Sequence, residues 1–240
     1  MADIHGFYNQ MKSALDEAGF DPTNENHVFV SLGDLLDRGR QPLECLKFVN
    51  ALPNKVLVKG NHEDLMLDLL KRREYYSHDI HNGTVRTLED VTHIGHYDLS
   101  VEDAYTKFET HPEWQKYINS CVDYYETKNN IFVHGWIPCK KIQKMDGTYF
   151  EYEPDWRTKS FADCRWYPGW NLWEDNIKEP GKTIFCGHWH CSAPNYYVHH
   201  EGKGEYDVFH PFEDIGIVCL DACTPLSGVC NCYVIEDEEL

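Results

Sequence analysis

Six short runs along the chain are rich in β-branched and apolar residues, and polar or glycine-bearing turns follow most of them. They are 27–32 (HVFVSL), 55–59 (KVLVK), 131–134 (IFVH), 183–186 (TIFC), 216–221 and 232–235. Runs of this length and composition predict buried strands. Between the early ones the period changes. Residues 7–19 place Met11, Leu15 and Ala18 on one helical face before Gly19, and 42–52 place Leu43, Leu46 and Val49 at three-to-four spacing. Residues 64–73 read as a further helix. Strand and helix alternating this way indicate an α/β chain. Residues 77–130 are mostly polar and helical in pattern, an expected insertion. Five of the seven tryptophans fall in 136–182, which reads as an aromatic-rich, irregular cap. The expectation is one domain over 1–240 with an acidic, solvated tail at 236–239.

Composition narrows the function. The 22 Lys and Arg against 40 Asp and Glu give 22 − 40 = −18, a charge that repels phosphodiester backbones and anionic membranes. No apolar run approaches the ~18 residues of a membrane span. Asp3 and His5 break any secretory signal, so a cytoplasmic location is expected. The ten cysteines are irregularly spaced and read as reduced thiols. Cys219, Cys223, Cys230 and Cys232 lack paired C-x2-C spacing, so buried thiols on adjacent strands are expected there rather than zinc. Asp3 sits in what reads as a loop after a strand, yet no strand precedes it. Either the numbering begins at an internal Met of a longer product or the first strand is short.

Five motifs carry the chemistry: DIHG at 3–6, GDLLDRG at 33–39, GNHED at 60–64, VHG at 133–135 and GHWH at 187–190. Four follow a strand-like run, and loops beyond the carboxyl ends of strands in an open α/β sheet share one crevice. Asp3, His5, Asp34, Asn61, His134 and His188 should therefore converge. Carboxylate, amide and imidazole donors without thiolate suit Mn²⁺, Fe²⁺ or Zn²⁺. Six ligands exceed the needs of one ion, and two ions ~3.5–4 Å apart sharing Asp34 would use them all, lowering the pKa of a bridging water and clamping a phosphoryl group. His62 can then protonate the leaving oxygen, with Asp37 orienting its ring and Arg38 offering a planar fork to phosphate. Each motif alone has a plainer reading as a turn or helix start.

Together and in this order, the motifs resemble those of the calcineurin-like metallophosphoesterases, in the bacterial-type phosphoprotein-phosphatase branch. The resemblance covers about 3–135, resumes at 183 and reaches the end, where LDACTPLSG resembles a closing family segment. It implies an αββα sandwich of two mixed sheets flanked by helices. It implies two divalent ions, Mn²⁺ first with Fe or Zn as alternatives. Asp3, His5 and Asp34 would hold one ion, and Asp34, Asn61, His134 and His188 the other. His62 would be the acid, Asp37 its partner and Arg38 a phosphate binder. Ala2 stands where the family has Gly. His190 has a counterpart among wider-superfamily ligands; the alternative is a residue merely beside Trp189. His81-Asn82-Gly83-Thr84 resembles a stretch near the family's substrate entrance. A second phosphate-binding Arg is expected, with Arg165 preferred to Arg157. The expected function is a metal-dependent phosphomonoesterase, a serine/threonine-type protein phosphatase. In it a hydroxide bridging the ions attacks phosphorus directly, and the substrate is a phosphorylated protein or small phosphoester. Alternatives are a symmetrical diadenosine tetraphosphate hydrolase and a non-catalytic, partner-binding member of the fold. The sequence leaves the oligomeric state open.

Overall fold

A computed structural model describes residues 1–95, 97, 101–145, 147–237 and 239. Parts of the expected helical insertion, at 96 and 98–100, and residue 238 of the acidic tail lie outside the described residues. The chain runs α1 (Tyr8–Glu17), β1 (Phe29–Ser31), α2 (Pro42–Ala51), β2 (Lys55–Leu57) and α3 (Asn61–Arg72). Four helices follow, α4 (Ser77–Asn82), α5 (Thr84–Thr92), α6 (Val101–Glu109) and α7 (Pro112–Ser120). Then come β3 (Tyr125–Glu126), β4 (Asn130–Phe132), a hairpin of β5 (Cys139–Lys144) and β6 (Gly147–Tyr152), and α8 (Gly169–Glu174). The chain continues through β7 (Thr183–Cys186), α9 (Ser192–Tyr197), β8 (Phe212–Asp214), β9 (Ile217–Cys219) and α10 (Thr224–Ser227).

β1 and β2 pair in parallel, and a second, mixed sheet has the order β3-β4-β7-β9-β8 with β4, β7 and β9 parallel. The two sheets meet over an apolar layer of Leu32, Val58, Phe132, Phe185, Val218 and Leu220. Outside the first sheet, Met11, Leu15, Leu46, Val49, Met66 and Leu69 from α1, α2 and α3 form one helical core with the α5–α7 side chains Leu88, Phe108 and Trp114. Sheets between helical layers are the expected α/β sandwich. Parallel strands put their following loops at one edge, and that edge holds the site.

Several sequence expectations shift. The third helix begins at Asn61, not at 64, because Glu63 accepts the Gly60 N–H at 2.8 Å and so caps the helix start. Residues 232–235 form no strand: Tyr233 and Ile235 satisfy their apolar character by packing on the inter-sheet layer, without a strand ladder. Met1 to His5 lie beside β1, with bonds from Leu32 N to Met1 O (2.9 Å) and from His5 N to Asp34 O (2.9 Å). The tryptophans of 136–182 do not stand apart from the sheet. Trp136, Trp156 and Trp170 share a core with Ile131, Ile184 and Ile217.

Candidate metal centre

The site forms where strand ends meet. Asp34 follows β1, Asn61 and His62 occupy the first turn of α3 after β2, His134 follows β4, His188 follows β7 and Asp221 follows β9. Two loops touch backbone to backbone: a Cβ on Gly33 would lie 2.5 Å from the Gly60 nitrogen. Asp3, His5, Asp34, Asp37, Arg38 and His188 all have φ between 52° and 73°, six of the eleven non-glycine residues with positive φ among the described residues. A side chain costs energy there, so the surrounding packing must hold these loops in place.

Two groups of potential ligands share Asp34. His5, Asp34 and His62 form one, and Asp34, His134 and His188 the other, with the donor atoms of each group within 4.8 Å of one another. The His5 Nδ1–H donates to Leu36 O at 2.9 Å and the His134 Nδ1–H to Leu32 O at 2.7 Å. A carbonyl only accepts, so each Nε2 is left as a lone pair facing inward. His134 Nε2 is 2.7 Å from the Asn61 side-chain oxygen, so two acceptors confront each other where a shared cation would satisfy both. Asp3 lies outside these compact groups, but its carboxylate accepts the His188 N–H at 2.9 Å.

The electrostatics fit a divalent cation. Burial pushes His5, His134 and His188 down, His188 to about 4, which keeps the imidazoles neutral as ligation requires. Burial would raise Asp34, but the facing His134, His62 and His5 outweigh it and hold its carboxylate below the ordinary range. Asp3 is pushed well up by burial, then by Asp221 and Asp34. Asp221 is pushed up to about 6, chiefly by burial. Three buried carboxylates crowded together are costly unless positive charge offsets them. Sequence reasoning missed Asp221. Its signal was its place directly after an apolar strand, like that of Asp34. Oxygen and imidazole donors fit Mn²⁺, Fe²⁺ or Zn²⁺. Among the described residues no ligating group includes a cysteine.

His62, part of the first group by distance, has its Nδ1 donating to Asp37 Oδ2 at 2.7 Å, which leaves Nε2 facing Asp34 at 3.8 Å. Burial works against charging the ring, but Asp34 and Asp37 raise His62 above the ordinary imidazole range. The exposed Arg38 guanidinium reaches to 3.4 Å from His62 Nε2. Asp37 is held by the hydroxyls of Thr84 and Thr87, each at 2.8 Å. Buried Glu63 accepts the N–H groups of Asp34 and Leu35 at 3.0 Å each and the Tyr117 hydroxyl at 2.9 Å. Glu63, Thr87 and Tyr117 had no functional reading in the sequence, because their partners lie 28 to 54 residues away.

Arg165 is 5% exposed, its guanidinium donating to Asp64 Oδ2 at 2.7 Å and to Asp123. Arg157 instead joins Glu126 and Glu179 away from the candidate ligands, at 2.7 and 2.9 Å. The structure does not bring His190 into either ligand group. Its ring lies between Trp189 and Tyr206, with Nδ1 2.8 Å from the Ser192 hydroxyl. A cavity of about 990 Å³ lies away from the centre, lined in part by Val30, Phe132, Phe185 and Tyr233, and holds none of the candidate ligands.

This fold and donor set define a metal-dependent phosphoesterase scaffold. The family model for calcineurin-like phosphoesterases matches residues 1–219, and the chain belongs to that family. It is 34% identical over 84 residues to a symmetrical bis(5'-nucleosyl)-tetraphosphatase of Coxiella burnetii, a match covering 34% of this chain and 28% of the relative. It is 40% identical over 68 residues to serine/threonine-protein phosphatase 1 of Salmonella typhimurium, covering 28% of this chain and 30% of that protein. These alignments span about a third or less of each curated relative. A mutant cold-active protein tyrosine phosphatase has the same fold, with a TM-score of 0.57 at 15% identity over 96% of this chain and 72% of that one. Among the described residues, no helix is long and apolar enough to cross a membrane.

Proposed function

We propose that the protein is a phosphoester hydrolase using two divalent ions, Mn²⁺ in the first instance, and that it cleaves phosphomonoesters of the serine/threonine phosphoprotein type. The observation that carries this reading is Asp34, shared by two clusters of buried donors, one of which includes His62 with its Nδ1 held by Asp37. Asp3, His5 and Asp34 would hold one ion, and Asp34, Asn61, His134 and His188 the other. Such ions supply Lewis acidity toward a phosphoryl oxygen and a water of lowered pKa.

The chain's own groups do the rest. Arg38, exposed at the mouth, presents a planar fork to phosphate oxygens. His62, charged more readily than an ordinary imidazole, gives its Nε2 proton to the departing oxygen. Asp37 stabilises the charged ring and keeps the proton on Nδ1. Glu63 and the Gly33–Gly60 contact fix the loops that present Asp34 and Asn61.

The test is p-nitrophenyl phosphate hydrolysis by metal-stripped protein, with and without Mn²⁺, alongside Asp34→Asn. Activity that appears only with metal and vanishes in the variant is expected. A wild type inert with Mn²⁺, Fe²⁺ and Zn²⁺ overturns the reading in favour of a non-catalytic, partner-binding role. A second reading, symmetrical cleavage of diadenosine tetraphosphate, is favoured by the Coxiella relative's printed activity. Faster turnover of diadenosine tetraphosphate than of a phosphoserine peptide would reverse the order.

A further inference from the structure

One tripeptide sends three side chains in different directions beside the centre. In Cys164–Trp166 the thiol is buried, the guanidinium is locked onto Asp64 and Asp123, and the Trp166 indole remains 48% exposed. That indole meets the His188 ring edge-to-face at 5.8 Å between centroids. The residue after His188, Trp189, is 39% exposed and stacks on His190 at 5.8 Å with 22° between the planes. His190 in turn lies 4.7 Å from the ring of exposed Tyr206, and its Nε2 is 3.6 Å from a Glu205 oxygen. His190 thus backs an aromatic layer. The Trp166 indole lies at His188 and the Trp189 indole on His190, and both leave much of their surface to water, although the hydrophobic effect favours burying rings of that size.

We propose that Trp166 and Trp189 form a specificity wall that stacks against a planar aromatic ring carried by the phosphoester. This rests on the phosphoester-hydrolase reading above and departs from its serine/threonine substrate class, since phosphoserine carries no ring. Three observations favour an aromatic ring over a charged or aliphatic group. The indoles offer flat apolar faces, Trp166 meets the candidate ligand His188 and Trp189 is the residue that follows it, and a chain of −18 charge gives extra phosphates little general attraction. The ring could be a nucleobase or the phenol ring of phosphotyrosine, and the same chemistry binds either.

The experiment compares wild type, Trp166→Leu and Trp189→Leu, with unchanged Mn²⁺ content and melting temperature as the folding control. kcat/KM is measured for phosphoserine, phosphotyrosine, adenosine 5'-monophosphate and diadenosine tetraphosphate. Each variant is compared with wild type on the same substrate, which cancels leaving-group reactivity. A loss of about tenfold for the aromatic substrates, carried by KM, with phosphoserine changed less than about twofold, is expected. Loss confined to the adenine compounds assigns the wall to a base, and loss confined to phosphotyrosine assigns it to a phenol ring. Equal effects on aromatic and aliphatic substrates, or none, overturn the proposal. If wild type hydrolyses nothing, the hydrolase reading fails, and calorimetric binding of adenosine 5'-monophosphate against ribose 5-phosphate to the Mn²⁺-loaded protein decides the wall separately. Tighter binding of the adenine compound that is lost in the variants supports it, and equal binding refutes it.

Discussion

His62 Nδ1 and the Thr84 hydroxyl both donate to one oxygen of Asp37, at 2.7 and 2.8 Å, while the Thr87 hydroxyl takes the other oxygen at 2.8 Å. The carboxylate that orients the proposed acid is thus gripped by a helix of the polar insertion. His62→Asn should keep full Mn²⁺ content and slow turnover by ~10²–10⁴-fold, most with poor leaving groups. Rates for phenyl phosphate and p-nitrophenyl phosphate read this directly. A near-normal rate on phenyl phosphate would remove His62 from the role.

Asp34 belongs to both ligand groups. Asp34→Asn should cost metal stoichiometry at both positions, whereas His188→Asn should weaken only one. Titration of Mn²⁺ by calorimetry counts the sites, and identical losses in the two variants would contradict the shared position.

Tyr117 ties α7 to the loop region through Glu63, whose carboxyl burial and then Asp34 push up to about 7, and a hydrogen bond to a group not fully charged contributes ~0.5–1.5 kcal/mol. Tyr117→Phe should lower unfolding free energy by about that amount and weaken Mn²⁺ binding, because Glu63 also fixes the Asp34 backbone. Chemical denaturation with and without Mn²⁺ measures both.

Far from the centre, Arg157 and then Lys182 hold the Glu126 carboxyl down, to about 2 from an ordinary value near 4.5. A depressed acid stabilises the fold above its unfolded pKa, and that contribution is lost as pH falls from about 4.5 toward 2. Glu126→Gln should flatten the melting-temperature profile across that window and leave it parallel to wild type above pH 6.

Trp156 is fully buried against Tyr124 and Phe161, with its indole N–H donating to Glu179 Oε2 at 2.9 Å. Trp156→Ala should destabilise by ~3–5 kcal/mol, the cost of a large core cavity. A loss under about 1 kcal/mol would mean the 136–182 segment is not part of the main core.

The strand-like runs and the motifs after them were legible because they are local. An apolar run ending in GD or GN states its own geometry, and parallel strands put their following loops on one edge. The order of the motifs likewise sufficed for the family resemblance. Contacts between distant segments were not legible. His190 stood open between a ligand, as the wider-superfamily resemblance implies, and a residue beside Trp189; in the fold its ring lies against Trp189 and Tyr206, outside both donor groups. Arg165 was preferred to Arg157 as a second phosphate-binding Arg, and only the folded chain pairs Arg157 with Glu126 and Arg165 with Asp64 and Asp123. Asp221, Glu63, Thr87 and Tyr117 gain meaning only from partners far along the chain, and Thr84, read as part of a stretch like the family's substrate entrance, gains its contact with Asp37 only there. The sequence by itself therefore determined most of the early strands and helices, the family resemblance and which residues are candidate donors, since these depend on residue identity and short-range periodicity, while the β5–β6 hairpin and the strandless 232–235 emerged only in the fold. Tertiary structure decided which groups face one another and which indoles stay exposed, because those follow from how the loops and the helical insertion close over the sheet edge.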